Sequence, residues 1–236
     1  MTQPVGSVAE VWRYPVKSVL GERVPDVGVD ARGLAGDRLW AVVDADGKLG
    51  SGKSSTRFRK LEGLLDLAAA VPPGSDVPEI TWSDGRRRAV GDPGLDHDLS
   101  ALAGRRVRVL REGEVEHHDD GPVHLLTTAS LRWLGGLLGR EVPVARFRPN
   151  LVVDTPGLEG TPEQDWVGRE VRVGEVVLRV VQPMPRCVMT TMAQADLEAD
   201  PLVLRTLTER AGADFGVLLE VVAPGRVSVG DEVRLG

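Results

Sequence analysis

The residues best suited to chemistry lie in Gln182–Thr191, QPMPRCVMTT, which holds the chain's only cysteine, Cys187. Pro183 and Pro185 stiffen the approach to it, since each fixes φ and removes a backbone donor. Arg186 stands directly beside the sulfur. A permanent cation there favours the thiolate, the form that attacks substrates or binds a metal. The competing reading is a small buried hydrophobe, a common fate of a free cysteine. Two further stretches are built to grip an anion. Tyr14–Ser18, YPVKS, offers Lys17 and Ser18, and Asp37-Arg38 adds Arg38, all next to turn-forming residues. Arg146–Asn150, RFRPN, places Arg146 and Arg148 two apart, so an extended chain projects both to one side. Pro149 favours that extended backbone at Arg148, and Asn150 contributes an amide. Paired guanidinium groups suit a phosphate or carboxylate. With one thiol added, these cations describe an anion-binding site that awaits a soft ligand.

Two other patterns compete with this reading. Gly47–Ser54, GKLGSGKS, satisfies the phosphate-loop pattern G-x-x-x-x-G-K-[ST] and follows a strand-like run. A nucleotide loop also needs a parallel βαβ setting and a helix aimed at the phosphate. Here the Asp46-Gly47 hairpin signal falls inside the match and the flanking chain reads antiparallel. The expectation is a hairpin tip plus helix entry, with Lys53 or Arg57 near an anionic ligand. His117, His118 and His124 cluster with Asp119 and Asp120. Adjacent histidines in a strand point to opposite faces, so the expectation is a solvated linker rather than a metal site.

The elements that must position these residues are short. Strand-like runs occur at Ser7–Trp12, Arg23–Asp30, Leu39–Asp44, Arg106–Arg111, Val123–Leu126, Asn150–Val153, Val171–Val173, Val176–Val181, Leu218–Val222 and Arg226–Val229. A hairpin is expected across Glu79–Ser83 and Arg86–Val90. Helices are expected at Thr56–Val71, where Leu61, Leu64, Leu65 and Ala68 have helical spacing, and at Leu95–Ala103, Thr128–Leu138 and Pro201–Arg210. Gly104, Gly139 and Gly212 stand at the stops of the last three. Polar Glu112–Pro122 reads as a link between two halves. Many short strands, glycine corners and few helices predict a mainly β chain with α, arranged as a barrel or folded-over sheet.

With 236 residues, 42% of them hydrophobic, the chain can bury one large core or two smaller ones. A net charge of −6, interspersed rather than blocked, argues against nucleic acid as the main partner. No run is long and apolar enough for a membrane span, and the N-terminus lacks a signal peptide's basic start and apolar middle. One cysteine makes no internal disulfide, which fits a reducing cytoplasm, and excludes a four-thiolate iron–sulfur cluster. Any electrons must therefore arrive from another protein.

Taken in order, YPVKS, GDRLWAVVD, HLLTTASL, RFRPNLVVD, EQDWVGREVRVG and PRCVMTT resemble the MOSC family, molybdenum cofactor sulfurase C-terminal-like proteins, in the form with an N-terminal β-barrel domain. The likeness covers essentially the whole chain and points towards amidoxime-reducing components. It implies an α+β fold, with an N-terminal domain at 1–115 and a MOSC β-barrel domain at 116–236. It further implies a molybdenum cofactor, Mo-molybdopterin, held between the halves, with Cys187 as the protein ligand of the metal. Lys17, Ser18, Arg38, Arg146, Arg148, Asn150 and Arg186 match cofactor-contacting positions, and Thr127 and Ser130 fall nearby. The implied reaction is two-electron removal of oxygen from N-hydroxylated or N-oxidised small molecules. A separate ferredoxin-, flavodoxin- or cytochrome-like protein would supply the electrons. The alternatives are a molybdopterin or sulfur carrier without turnover, and a nucleotide enzyme resting on Lys53 and Ser54. After Thr191 the continuation MAQADLEADP departs from the family pattern, so substrate choice does not transfer. Oligomeric state has no signature in the sequence.

Overall fold

The computed structural model describes residues 2–236 as a mostly β chain with three α-helices, Leu95–Ala103 (α1), Thr128–Leu138 (α2) and Pro201–Ala211 (α3). Seven strands close a barrel: Gln3–Arg13 (β1), Val123–Thr127 (β2), Leu151–Asp154 (β3), Glu170–Val173 (β4), Val176–Pro185 (β5), Asp214–Ala223 (β6) and Glu232–Leu235 (β7). Their order is β3, β2, β6, β5, β4, β7, β1, and β1 pairs back with β3. Closure removes the unpaired edges of these strands. Only β2 and β3 run parallel. Parallel neighbours need a crossover, which α2 and the 3-10 turn Val144–Phe147 supply.

Alternation explains the barrel's filling. Val171 and Val173 of β4, Val176, Leu178 and Val180 of β5, Val217 and Leu219 of β6, and Val233 and Leu235 of β7 all enter one core. The side-chain period of two puts each set on a single face. In β1 the buried pair is Val8 and Val11, three apart. The register shifts between Val8 and Glu10, and this bulge turns both residues inward. Outside the barrel α2 and α3 share a core of Leu134, Val203 and Leu207 with Phe147 and Phe215, whose rings lie 4.6 Å apart.

The remaining residues of the first half form a second β-rich unit. Val107–Arg111, Trp40–Asp44, Leu49–Ser51 and Phe58–Lys60 make one sheet, and Ala68–Ala70, Glu79–Thr81 and Arg87–Ala89 another. They enclose a core with Val16, Val42, Leu64, Ile80 and Leu99. The units interlock, because β1 completes the barrel and Asp26–Asp30 pairs with Gly225–Ser228. α1, α2 and α3 form as expected, and Gly104, Gly139 and Gly212 end them in left-handed conformations.

Three expectations are corrected. Thr56–Val71 is not an α-helix: it contains the strand Phe58–Lys60, a 3-10 turn at Leu64–Asp66 and the strand Ala68–Ala70. Gly63, at φ 79°, breaks the run, while Leu61, Leu64 and Leu65 are buried all the same. Glu112–Pro122 links the halves without regular structure and is exposed at 113–116, 119 and 120, but its histidines are not solvated. His117 and His118 are buried, Arg57 donates to the carbonyls of Glu116, His118 and Asp119, and Glu112 is ion-paired with Arg32. Finally, Gly47–Ser54 makes the expected hairpin, then continues into a strand parallel to Phe58–Lys60, with no helix behind it. The nucleotide-loop reading therefore lacks the helix it requires.

Candidate functional site

β5 is the lever that places the cysteine. Paired with β6 through three register shifts, it runs past the barrel's end to Pro185. The Arg186 amide then bonds the Ala213 carbonyl at 2.7 Å, which fixes where the chain turns. Cys187 is half-buried and caps the 3-10 turn Val188–Thr191. The Thr190 hydroxyl and amide both donate to the Cys187 carbonyl, at 2.9 and 3.1 Å, and anchor its backbone.

Cys187 opens onto a cleft of about 810 Å³, counted out to its mouth, between the barrel's end and the N-terminal unit. Of the residues expected at the site, Lys17, Ser18 and Arg38 reach it from the first half. Arg146, Arg148, Asn150 and Arg186 reach it from the second. Six cations line the cleft, counting Lys53, against the two carboxylates of Asp119 and Asp120. A chain that is negative overall thus holds a strongly positive recess, and low-dielectric walls focus that field.

The cations are held at some cost. Five non-glycine residues among those described have positive φ, and Ser18, Arg38 and Arg148 are three of them. Strained backbone concentrates at binding sites because the surrounding structure has to enforce it. Tyr14 is one enforcer: its buried ring lies 4.8 Å from the Arg38 guanidinium and 4.3 Å from that of Arg148. Asp37 is another. It accepts the Tyr14 amide at 2.7 Å and pairs with Arg38. Burial would raise its carboxyl, but Arg38, His118 and that amide pull it down to about 2. Lys17 is only 2% exposed and donates to Asp119 at 2.7 Å. Burial lowers its ammonium to about 8, against the pull of Asp119. Burial likewise lowers Arg148 and Arg186 to about 10.

Residues 112–234 match the MOSC domain and residues 5–66 the MOSC N-terminal beta barrel domain. The chain belongs to the MOSC-domain family. It is 26% identical to mitochondrial amidoxime-reducing component 1 of Mus musculus, over 99% of this chain and 83% of that one. It is 28% identical to mitochondrial amidoxime reducing component 2 of Rattus norvegicus, over 80% and 68%. Against the molybdenum cofactor sulfurase of Drosophila grimshawi the figure is 26%, over 82% of this chain and 29% of that protein. The YUAD protein from Bacillus subtilis shares the fold, at a TM-score of 0.55 and 13% identity, covering 100% and 98% of the two chains.

The cleft of this MOSC-domain protein fits an anionic group with a soft-ligand metal. Buried Nε and Nη1 of Arg186, Nη1 of Arg148 and Nε of Arg146 have no partner among the described residues. Buried donors are almost always satisfied, so these point to acceptors brought by a ligand. The imidazole of buried His124, on the cleft wall, faces the backbone of Arg148 and Phe215 rather than a side-chain partner. Burial, then the nearby Arg186, drives that imidazole well below its usual value, so it is neutral.

Other expectations need correcting. Arg148 is not extended: it caps a 3-10 turn at φ 53° and ψ 47°. Arg146 commits both terminal nitrogens to the Met192 and Glu198 carbonyls and keeps only Nε, so the two guanidinium groups do not form a matched pair. The Asn150 carboxamide accepts the His124 amide and reaches the Trp12 carbonyl, clasping β1, β2 and β3. Thr127 and Ser130 lie outside the cleft. Thr127 caps α2, and both hydroxyls bind the buried carboxyl of Glu163, which burial raises. Sequence reading missed Tyr14 and Asp37 as enforcers, although both sit inside or beside the quoted motifs YPVKS and GDR.

Proposed function

We propose that this protein is a molybdenum-cofactor-dependent reductase of N-hydroxylated or N-oxidised small molecules. The observation that carries the reading is the pairing of a half-buried thiol with buried guanidinium donors that have no partner among the described residues. Cys187 would ligate the metal. Lys17, Ser18 and Arg38 would hold the anionic tail from one side, with Arg148 and Arg186 on the other. When bound, the cofactor supplies a metal that accepts an oxygen atom and passes two electrons. The protein's share is binding, orientation and exclusion of water. Thr190 fixes the cysteine backbone, Tyr14 and Asp37 hold Arg38, and His124 adds an uncharged wall. Each turnover consumes two electrons and two protons and releases water. The electrons would come from a separate protein. Relatives named for amidoxime reduction support an amidoxime as first test substrate.

The test is molybdenum and pterin content per chain, with benzamidoxime turnover on reduced viologen, for wild type beside Cys187→Ala. The expected result is near-stoichiometric molybdenum in wild type and no turnover in the variant. Unchanged turnover in Cys187→Ala, or wild type without molybdenum from a cofactor-competent host, would overturn the reading.

A further inference from the structure

The stretch Gly47–Ser54 has no part in the function proposed above, yet its far end reaches the cysteine. Gly52 permits this approach: a Cβ there would stand 2.5 Å from the Met189 sulfur and 2.6 Å from that of Met192. Ser51, buried beside it, lies 3.9 Å from the Met189 sulfur. The next residue, Lys53, puts its ammonium 3.7 Å from the Cys187 sulfur. The other cleft cations are engaged or backed by protein groups, and the free nitrogens of Arg146, Arg148 and Arg186 are those the cofactor would take up. Lys17 pairs with Asp119 and Arg38 with Asp37, Arg146 and Arg186 bind carbonyls, and Arg148 lies over Tyr14. Lys53 makes no hydrogen bond or ion pair to oxygen among the described residues, and rests half-buried 5.3 Å from the Phe58 ring centroid. Asp120 and the Lys17-paired Asp119 are the carboxylates on the same cleft.

We propose that Lys53 determines substrate specificity by selecting N-oxygenated compounds that carry a negative charge near the reducible N–O group, carboxylated aromatic N-oxides being the simplest class. The inference rests on the reductase reading, with Cys187 at the reaction centre. Any molecule whose oxygen approaches that centre comes within reach of an ammonium that forms no ion pair with a carboxylate among the described residues. A substrate carboxylate provides one, whereas a cationic substrate meets repulsion. The reaction balances as an aromatic N-oxide plus two electrons and two protons giving the heterocycle and water. The electrons come from the protein donor or, in the assay, from reduced viologen.

Nicotinic acid N-oxide and nicotinamide N-oxide differ in charge with little change in shape. The experiment compares their kcat/KM in wild type, Lys53→Met and Lys53→Glu, with molybdenum content and a calorimetric Kd for nicotinic acid N-oxide on loaded, unreduced protein. Wild type is expected to favour the anion. Lys53→Met should lower the anion-to-amide ratio about fivefold to tenfold, chiefly through KM, and Lys53→Glu should lower it further. The Kd should weaken in parallel, at unchanged molybdenum content. A ratio unmoved in Lys53→Met overturns the proposal. So does a loss of molybdenum in that variant, which would assign Lys53 to the cofactor. If no protein turns over either compound, benzamidoxime turnover by the same preparations shows whether the reductase reading itself fails. The Kd then decides the role of Lys53: an affinity equal to wild type overturns it, and a loss of about fivefold upholds it.

Discussion

Replacing Lys17 with Met should make the ligand-free protein more stable. A folded-state ammonium lowered from the usual 10.5 to about 8 carries about 3 kcal/mol of unfavourable charge burial at pH 7. Burial is the leading cause, and Asp119 only partly offsets it. Removing the lysine also strips Asp119 of its partner. That carboxylate is 45% exposed, so water takes over, and the value of about 8 already includes the attraction that is lost. The gain is about 3 kcal/mol, or roughly 6–12 °C in Tm for a domain of this size. The sign follows from proton counting. Between pH 8 and 10.5 the unfolded chain holds a proton at Lys17 that the folded chain has lost, so wild-type stability rises with pH across this window. The variant lacks that rise, and its advantage should shrink from pH 8 and vanish by about pH 10.5. Denaturant unfolding of ligand-free protein at pH 7, 9 and 10.5 reads this directly. A variant less stable than wild type at pH 7, or an advantage that persists unchanged to pH 10.5, refutes the reasoning.

Two further outcomes are expected. Tyr14→Phe should leave thermal stability equal or slightly higher, because the buried hydroxyl has no partner, whereas Tyr14→Leu should cost about 3 kcal/mol by opening a cavity and losing two cation–π contacts; equal losses in both variants, measured by thermal unfolding, would show that the ring is not the support of Arg38 and Arg148. Burial holds the Glu163 carboxyl above its usual range, so the stability gained from its protonated form is lost as pH rises through the folded value; Glu163→Gln should therefore gain on wild type with rising pH, and a pH-independent difference in unfolding midpoint contradicts this.

How much of this was legible in the sequence depended on how local each cause is. The stops of α1, α2 and α3 were readable because a glycine in the left-handed conformation ends a helix using only its own neighbours. Cleft residues spread along the chain were readable because their motifs follow one another in a family's order. The backbone of Arg148 was not. The rule for residues before proline points to extended chain, but packing beside Tyr14 holds φ at 53°. Leu61, Leu64 and Leu65 have helical spacing, and a 3-10 turn flanked by strands buries the same residues. His117 and His118 look solvated among acids, and only the fold shows the Arg57 and Arg32 contacts that cover their segment. Lys53 and Cys187 are 134 positions apart, and no local pattern encodes their meeting.

These departures share a cause. Left to local preference, Arg38 and Arg148 would avoid positive φ, Lys17 would stay in water, and the guanidinium nitrogens of Arg186 would find partners. The protein opposes each preference at the same place, and the barrel and the N-terminal core supply the apolar burial that outweighs the cost. A buried donor without a partner costs about 1–3 kcal/mol, and a sparsely populated backbone conformation about as much. Such a cleft is a poor arrangement for the ligand-free chain and a good one for an anion, since the acceptor that binds there relieves several unfavourable terms at once. By linkage, whatever binds only the folded state stabilises it in proportion to its affinity. The strain around Cys187 and the partnerless donors therefore describe one property: a site preorganised for a charged ligand before that ligand arrives.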